Sequence, residues 1–201
     1  MANLKNKMPD FVAYMFLGIV LGIASKYLDN IGVVDNNWWM NILQYFGQLF
    51  SRLGIWVLIA TFIAANSKTL IRAGVNTFIF FIGMLVSYYM YSAYLFGFFP
   101  TRYFIFWGCV ALASPFFAAI VWWSRNSWRS AFILPALPMG LMLSLSLGMG
   151  MFYMYLNHIE ELIMFVVLCV VFYKKPKQIV ISVVFSFVLA FIFKQISPFH
   201  F

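Results

Sequence analysis

Residues 131–156 read AFILPALPMGLMLSLSLGMGMFYMYL, a stretch without a single charge, with Pro135 and Pro138 near its start and small residues spaced along the rest. Gly140, Ser144 and Gly148 recur at every fourth position, and Ser146 and Gly150 form a second pair. On a helix this spacing produces a side on which neighbouring backbones approach closely, which a purely lipid-facing helix does not need. The stretch is therefore expected to form one membrane-spanning helix at the centre of a packed bundle.

The composition around it agrees. Hydrophobic residues make up 65% of the 201-residue chain, aromatic residues 21% and charged residues only 9%, with a mean hydropathy of +0.94, far from the makeup of a soluble domain. At roughly 20 apolar residues per crossing there is room for six or seven spans. The expected fold is all-α, a polytopic membrane helix bundle forming a single integral membrane domain whose main partner is the lipid bilayer. The formal net charge of +8 is scattered in small groups between apolar runs, so it argues for topology and against nucleic acid. Cys109 and Cys169 fall within apolar runs and show neither disulfide nor metal-ligand spacing, so no metal and no cofactor is expected.

Reading outward from 131–156 gives spans of about 11–28, 49–65, 74–98, 103–123, 131–156, 157–173 and 179–193. Pro9 and Asp10 suit a helix start, and Ile23-Ala24-Ser25 is a poor cleavage site, so the first helix is expected to be retained. It carries Gly18 and Gly22 as a GxxxG pair. Residues 38–50 alternate at the helical period, with Trp39, Ile42, Leu43, Phe46 and Phe50 opposite Asn41, Gln44, Gln48 and Ser51, which predicts an interfacial amphipathic helix before the second span. A bend near Gly47 or Gly54 would join the two. Pro115 interrupts the fourth span, Glu160 and Glu161 stand at the head of the sixth, and Ser182, Ser186 and Ala190 line one side of the seventh.

Counting basic residues across seven crossings sets the orientation. Lys5, Lys7, Lys68, Arg72, Arg125, Arg129, Lys174, Lys175 and Lys177 fall on one side, against Lys26, Arg52, Arg102 and Lys194 on the other. The excess places the amino terminus in the cytoplasm and the carboxyl terminus outside. The absence of an Asn-x-Ser/Thr site fits a prokaryotic plasma membrane.

Chemistry is sparse. The chain has no HExxH, CxxC, Walker-type or GxSxG motif, and no carboxylate is placed mid-membrane by these spans, which argues against a proton-relay pump and, more broadly, against an enzyme. The one constellation lies at the outer face, where Arg52, Arg102, His158, Glu160 and Glu161 can gather with Tyr88, Tyr91, Tyr94 and Trp38 or Trp39. Aromatic walls with a few orienting charges make a small-molecule site. The same residues also fit a plainer role as arginine anchors, an aromatic belt and a favourably charged helix head. The small residues Gly18, Gly22, Gly140, Ser144, Gly148, Ser182 and Ser186 serve internal helix packing or contact with a partner subunit.

In the second span lies Ala60-x-x-x-Ala64, to be set beside Gly18-x-x-x-Gly22 in the first. In size and layout the chain resembles the substrate-binding membrane subunits of energy-coupling-factor vitamin transporters, which carry an Ala-x-x-x-Ala contact motif in their first helix. The resemblance implies a transport role alongside a separate ATPase and a coupling subunit, and no vitamin-binding residue is carried over. Two functions are therefore expected: a transport-related protein that binds a small or amphiphilic ligand near its outer face without a nucleotide site of its own, or a non-catalytic subunit that assembles with or stabilises a larger membrane complex.

Overall fold

The computed structural model describes residues 8–31, 38–128, 130–149 and 153–196. Lys5, Lys7, Arg129 and Gly150, used above for orientation or spacing, lie outside them. Among the described residues eight α-helices run in chain order as α1 (Met8–Asp29), α2 (Trp38–Ser51), α3 (Leu53–Asn66), α4 (Leu70–Phe96), α5 (Thr101–Asn126), α6 (Ala136–Ser146), α7 (Ile159–Phe172) and α8 (Pro176–Ile196). A 3-10 turn, Ser130–Phe132, precedes α6, and a short hairpin of β1 (Leu147–Met149) and β2 (Met154–Leu156) follows it.

Among the described residues four helices are long and apolar enough to cross a membrane, in α1, α4, α5 and α8, and a fifth span exists if the broken pair α2 and α3 counts as one. The expectation of six to seven full-length spans is not met by helix length, because α6 has 11 residues and α7 has 14, reaching only about 16 and 21 Å.

Two compact units divide the chain, where the sequence reads as one domain: Met1–Arg52 with Ser67–Ala119, and Leu53–Asn66 with Ile120–Phe201. In the first, α1 and α4 lie side by side and run in the same direction. A Cβ on Gly18 would strike the Phe80 carbonyl, one on Gly22 would strike Ser87 Oγ and the Met84 carbonyl, and one on Gly83 would come 2.7 Å from the Met15 carbonyl. Three glycines thus bring the two backbones into direct contact. The Thr69 hydroxyl accepts the Arg72 amide at 3.3 Å to start α4. Gly97 ends it in the left-handed region at φ 71°, donating to the Ala93 carbonyl at 2.9 Å.

Pro115 does not interrupt α5. Proline cannot donate to the carbonyl four residues back, yet that carbonyl, of Ala111, accepts the Ser114 hydroxyl at 2.7 Å, so its hydrogen bond is replaced within the helix. The bend expected at Gly47 or Gly54 falls between them, at Arg52, where α2 gives way to α3. The Ser51 hydroxyl donates to the Gly47 carbonyl at 2.7 Å and competes with the backbone there. Gly47 serves packing, since its Cα faces the Leu28 carbonyl so closely that a Cβ would stand 2.7 Å from it. On α2 both the Trp38, Trp39, Ile42 and Phe46 side and the Asn41 and Gln48 side are exposed, as suits a helix lying at an interface.

The second unit overturns the central expectation, a continuous helix over 131–156. Helix α6 stops at Ser146, and Leu147 takes extended angles of φ −107° and ψ 131°. The Ser146 carbonyl is taken by the amides of Asn157 at 2.8 Å and His158 at 3.2 Å, while the Ser146 hydroxyl donates to the His158 carbonyl at 3.1 Å. The returning chain therefore supplies the donors that a further helical turn would have supplied. Gly148 pairs with Tyr155 across the antiparallel hairpin, and the Tyr155 ring fills the space a Cβ on Gly148 would need. Glycine is a poor helix former and tyrosine a good strand former, so composition favours the hairpin here.

Below the hairpin the unit closes on its small residues. Gly140 meets α8 so closely that a Cβ would lie 2.9 Å from Leu189 Cβ and 3.0 Å from the Ser186 carbonyl. Ser182, Ser186 and Ala190 are fully buried on that side. Gln178 is buried too, and its amide group donates to the Ala131 carbonyl at 2.7 Å and to Ser182 Oγ at 3.2 Å, while accepting the Lys174 amide at 3.2 Å. Lys194 Nζ reaches the Ser144 carbonyl at 3.5 Å, and the Ser144 hydroxyl donates to Leu141 at 2.7 Å. Residues 131, 140 and 144 meet 178, 186 and 194 in order, so α6 and α8 also run in the same direction.

Candidate functional site

The candidate residues divide between the units: Arg52, Tyr88, Tyr91, Tyr94 and Arg102 belong to the first, and His158, Glu160 and Glu161 to the second.

In the first unit the parallel packing of α1 and α4 brings the last turn of α1 against Tyr88. Lys26, with a side chain only 8% exposed, places Nζ 2.9 Å from Asp29 Oδ2. The Tyr88 hydroxyl donates to the same oxygen at 3.2 Å. The ammonium also lies 5.2 Å from the Tyr88 ring centroid and 4.9 Å from that of Phe96. One carboxylate oxygen and two ring faces thus replace water around a nearly buried cation. The position at the C-terminal end of a helix adds a favourable dipole, and Asn30 Nδ2 donates to the Lys26 carbonyl at 2.8 Å to close the turn.

Tyr91 and Tyr94 stack at 6.5 Å with planes 13° apart, and Tyr94 is exposed. Arg102 stands exposed at the start of α5, and Arg52 is half-buried at the break after α2. Tyr89 forms a separate aromatic knot with Phe99 at 6.2 Å and Phe104 at 5.6 Å, which fixes the turn from α4 to α5.

In the second unit His158 is the N-cap residue of α7 in extended conformation, with no side-chain cap, and its Nδ1 lies 3.4 Å from the Leu145 carbonyl. Glu160 and Glu161 follow in the first helical turn, where the macrodipole favours negative charge. Glu160 is half-exposed. Glu161 is only 1% exposed. It presses on α3 at Gly54, where a Cβ would come 2.9 Å from Glu161 Cγ and 3.5 Å from Oε1 and from Met164 Sδ. Gly54 therefore makes the room in which the carboxylate lies.

The sequence places Tyr88 in the candidate set and Lys26 only among the orientation charges, without pairing Lys26 with Asp29. Their separation by three residues at a helix end was the available signal. It likewise treated Gly54 as a bend, because a contact with Glu161 more than a hundred positions away leaves no local trace. Among the described residues no group of three or more His, Cys, Asp or Glu side chains could hold a metal ion.

No protein family, curated protein or solved structure significantly matches the chain.

Proposed function

We propose that the chain is a transport-related, multi-pass membrane protein that binds a small or amphiphilic ligand near its outer face and takes its energy from a separate ATPase subunit. Parallel packing within each unit supports seven crossings in it: α1 and α4 run the same way in the first unit and α6 and α8 run the same way in the second, so the chain returns between the members of each pair. The amino terminus is then cytoplasmic and the carboxyl terminus extracytoplasmic, in a prokaryotic plasma membrane.

The observation that carries the reading is the burial of Glu161. Taking a carboxylate out of water costs several kcal/mol before partners offset it, and ionisable groups buried within membrane helices mark ligand or ion paths. Glu161→Gln keeps the shape and removes the charge. In a thermal-shift screen of amphiphilic cations, anions and neutral solutes on purified protein, a solute that stabilises the native chain should lose its effect in Glu161→Gln and keep it in Glu160→Gln. Equal shifts in all three proteins would remove Glu161 from the site.

The second reading, a non-catalytic subunit of a larger complex, draws on the hairpin. Tyr153, Met154, Tyr155 and Leu156 are all exposed, so both sides of β2 offer apolar surface. Gentle detergent purification distinguishes it: stoichiometric co-purifying membrane chains, lost on Tyr153→Ser with Leu156→Ser, favour the subunit, and a lone monomer opposes it.

A further inference from the structure

The turn between α7 and α8 and the end of α5, all in the second unit, collect four cations: Arg125, Lys174, Lys175 and Lys177. Lys174 Nζ closes the end of α5, 3.4 Å from each of the Ser124 and Ser127 carbonyls. Partial burial first, and then the charge of Arg125, hold its ammonium below the ordinary lysine pKa. Lys175 Nζ sits 4.7 Å from the centroid of the Trp128 ring, which is itself half-exposed and packed edge-on to Phe132 at 5.7 Å. Arg125, Lys175 and Lys177 are exposed.

Gathering like charges is unfavourable unless an anion joins them, and the carboxylates described in this unit are far away. Glu160 and Glu161 stand at the opposite end of α7. From Glu161 to the end of α7 is about 17 Å along the helix, beyond the Debye length of roughly 8 to 10 Å. They do not neutralise the cluster.

What surrounds the cluster decides the kind of anion. Val170, in the last turn of α7, and Val180 and Val184, three and seven residues after Lys177 on one side of α8, are strongly exposed apolar side chains beside the basic turn. A tryptophan under a lysine marks the level of lipid headgroups. We propose that this basic turn binds the phosphate of an anionic phospholipid in the cytoplasmic leaflet, with the acyl chains lying along the exposed valines of α7 and α8. A free phosphate would meet the same cations but leave those valines unused. The site is independent of the outer-face ligand and stands whether or not Glu161 contributes to one.

The test uses the full-length chain in a neutral non-ionic detergent, with phosphatidylglycerol, phosphatidylcholine and inorganic phosphate as probes in native mass spectrometry and thermal shift. Phosphatidylglycerol alone should stay bound and stabilise the protein, and added salt should weaken it. Lys175→Gln with Lys177→Gln should weaken it by about 25-fold, at about fivefold per charge, while Lys68→Gln in the first unit should leave it unchanged. Three results overturn the proposal: equal retention of both lipids, an unchanged phosphatidylglycerol affinity in the double variant, or inorganic phosphate reproducing the shift by itself. Lys175 and Lys177 are exposed, and a preserved basal melting temperature shows that the double variant is folded.

Discussion

The two units are made from the same materials, glycine and serine set into apolar helix, and use them in different ways. In the first, Gly18, Gly22 and Gly83 lie within uninterrupted helices, and α1 and α4 meet backbone to backbone. In the second, the series Gly140, Ser144, Gly148 begins on a helix and ends on a strand, because Asn157 and His158 take the carbonyl of Ser146. Contact there joins the close approach of Gly140 to α8 with polar side chains reaching backbone carbonyls, as Gln178 reaches Ala131 and Lys194 reaches Ser144. A four-residue spacing of small residues thus announces close approach, and it leaves open whether helix, strand or hydrogen bond accomplishes it.

The comparison breaks most easily at Gly18. A side chain there meets the Phe80 carbonyl, which belongs to a helix and cannot swing aside. Gly18→Val should destabilise the protein by about 3 kcal/mol, the upper range for forcing extra atoms into a packed interface. The melting temperature in detergent and the denaturant midpoint both report it. The same variant should expose Lys26 by parting the end of α1 from Tyr88, so faster amide exchange at 26–30 should accompany the loss. A native-like midpoint would show that the α1–α4 contact is not what holds the first unit together.

How much of this was legible beforehand follows from what each signal depends on. The long helices α1, α4, α5 and α8 rest on local hydropathy and were readable within a few residues at most ends. The amphipathic α2 was readable from its period. The hairpin was not, because every residue from Leu147 to Leu156 is apolar, small or aromatic and fits a helix or a strand, and the deciding hydrogen bonds come from Asn157 and His158. Of the candidate site, the aromatic and acidic members were chosen by residue type. The pairing of Tyr88 with Lys26 and Asp29 depends on a helix–helix register that a single sequence does not state.

In the second unit the sharper test is Gln178→Leu. The replacement keeps the volume and removes three hydrogen bonds, to Ala131, Ser182 and the Lys174 amide, in a place with no access to water. Leaving the Ala131 carbonyl and the Lys174 amide without this partner should cost about 2 kcal/mol. Ser182 also donates to Ala131, at 3.4 Å, and to Phe132, at 3.1 Å, so part of the loss is recovered there. Hydrogen exchange should rise at 174–182 and stay unchanged at 80–87 in the first unit. If both regions loosen together, the two units unfold as one and their separate construction has no thermodynamic meaning.

The smallest effect is expected at Gly108, and it tests whether the contrast concerns glycine itself or the contacts a glycine permits. Gly108 lies within α5 in the first unit, and the nearest atom a Cβ would find is Leu85 Cδ2 at 4.0 Å, an ordinary van der Waals distance to the mobile end of a side chain. Gly108→Ala should therefore leave the stability unchanged or raise it by up to about 1 kcal/mol from the better helix former, read as an unchanged or higher melting temperature. Were Gly108→Ala to destabilise the protein as Gly18→Val does, α5 would be packed as tightly as α1 and α4, and the first unit would be held by three helices instead of a pair. A neutral result, paired with a large loss at Gly18, ties the effect to the Phe80 carbonyl and not to the flexibility of glycine.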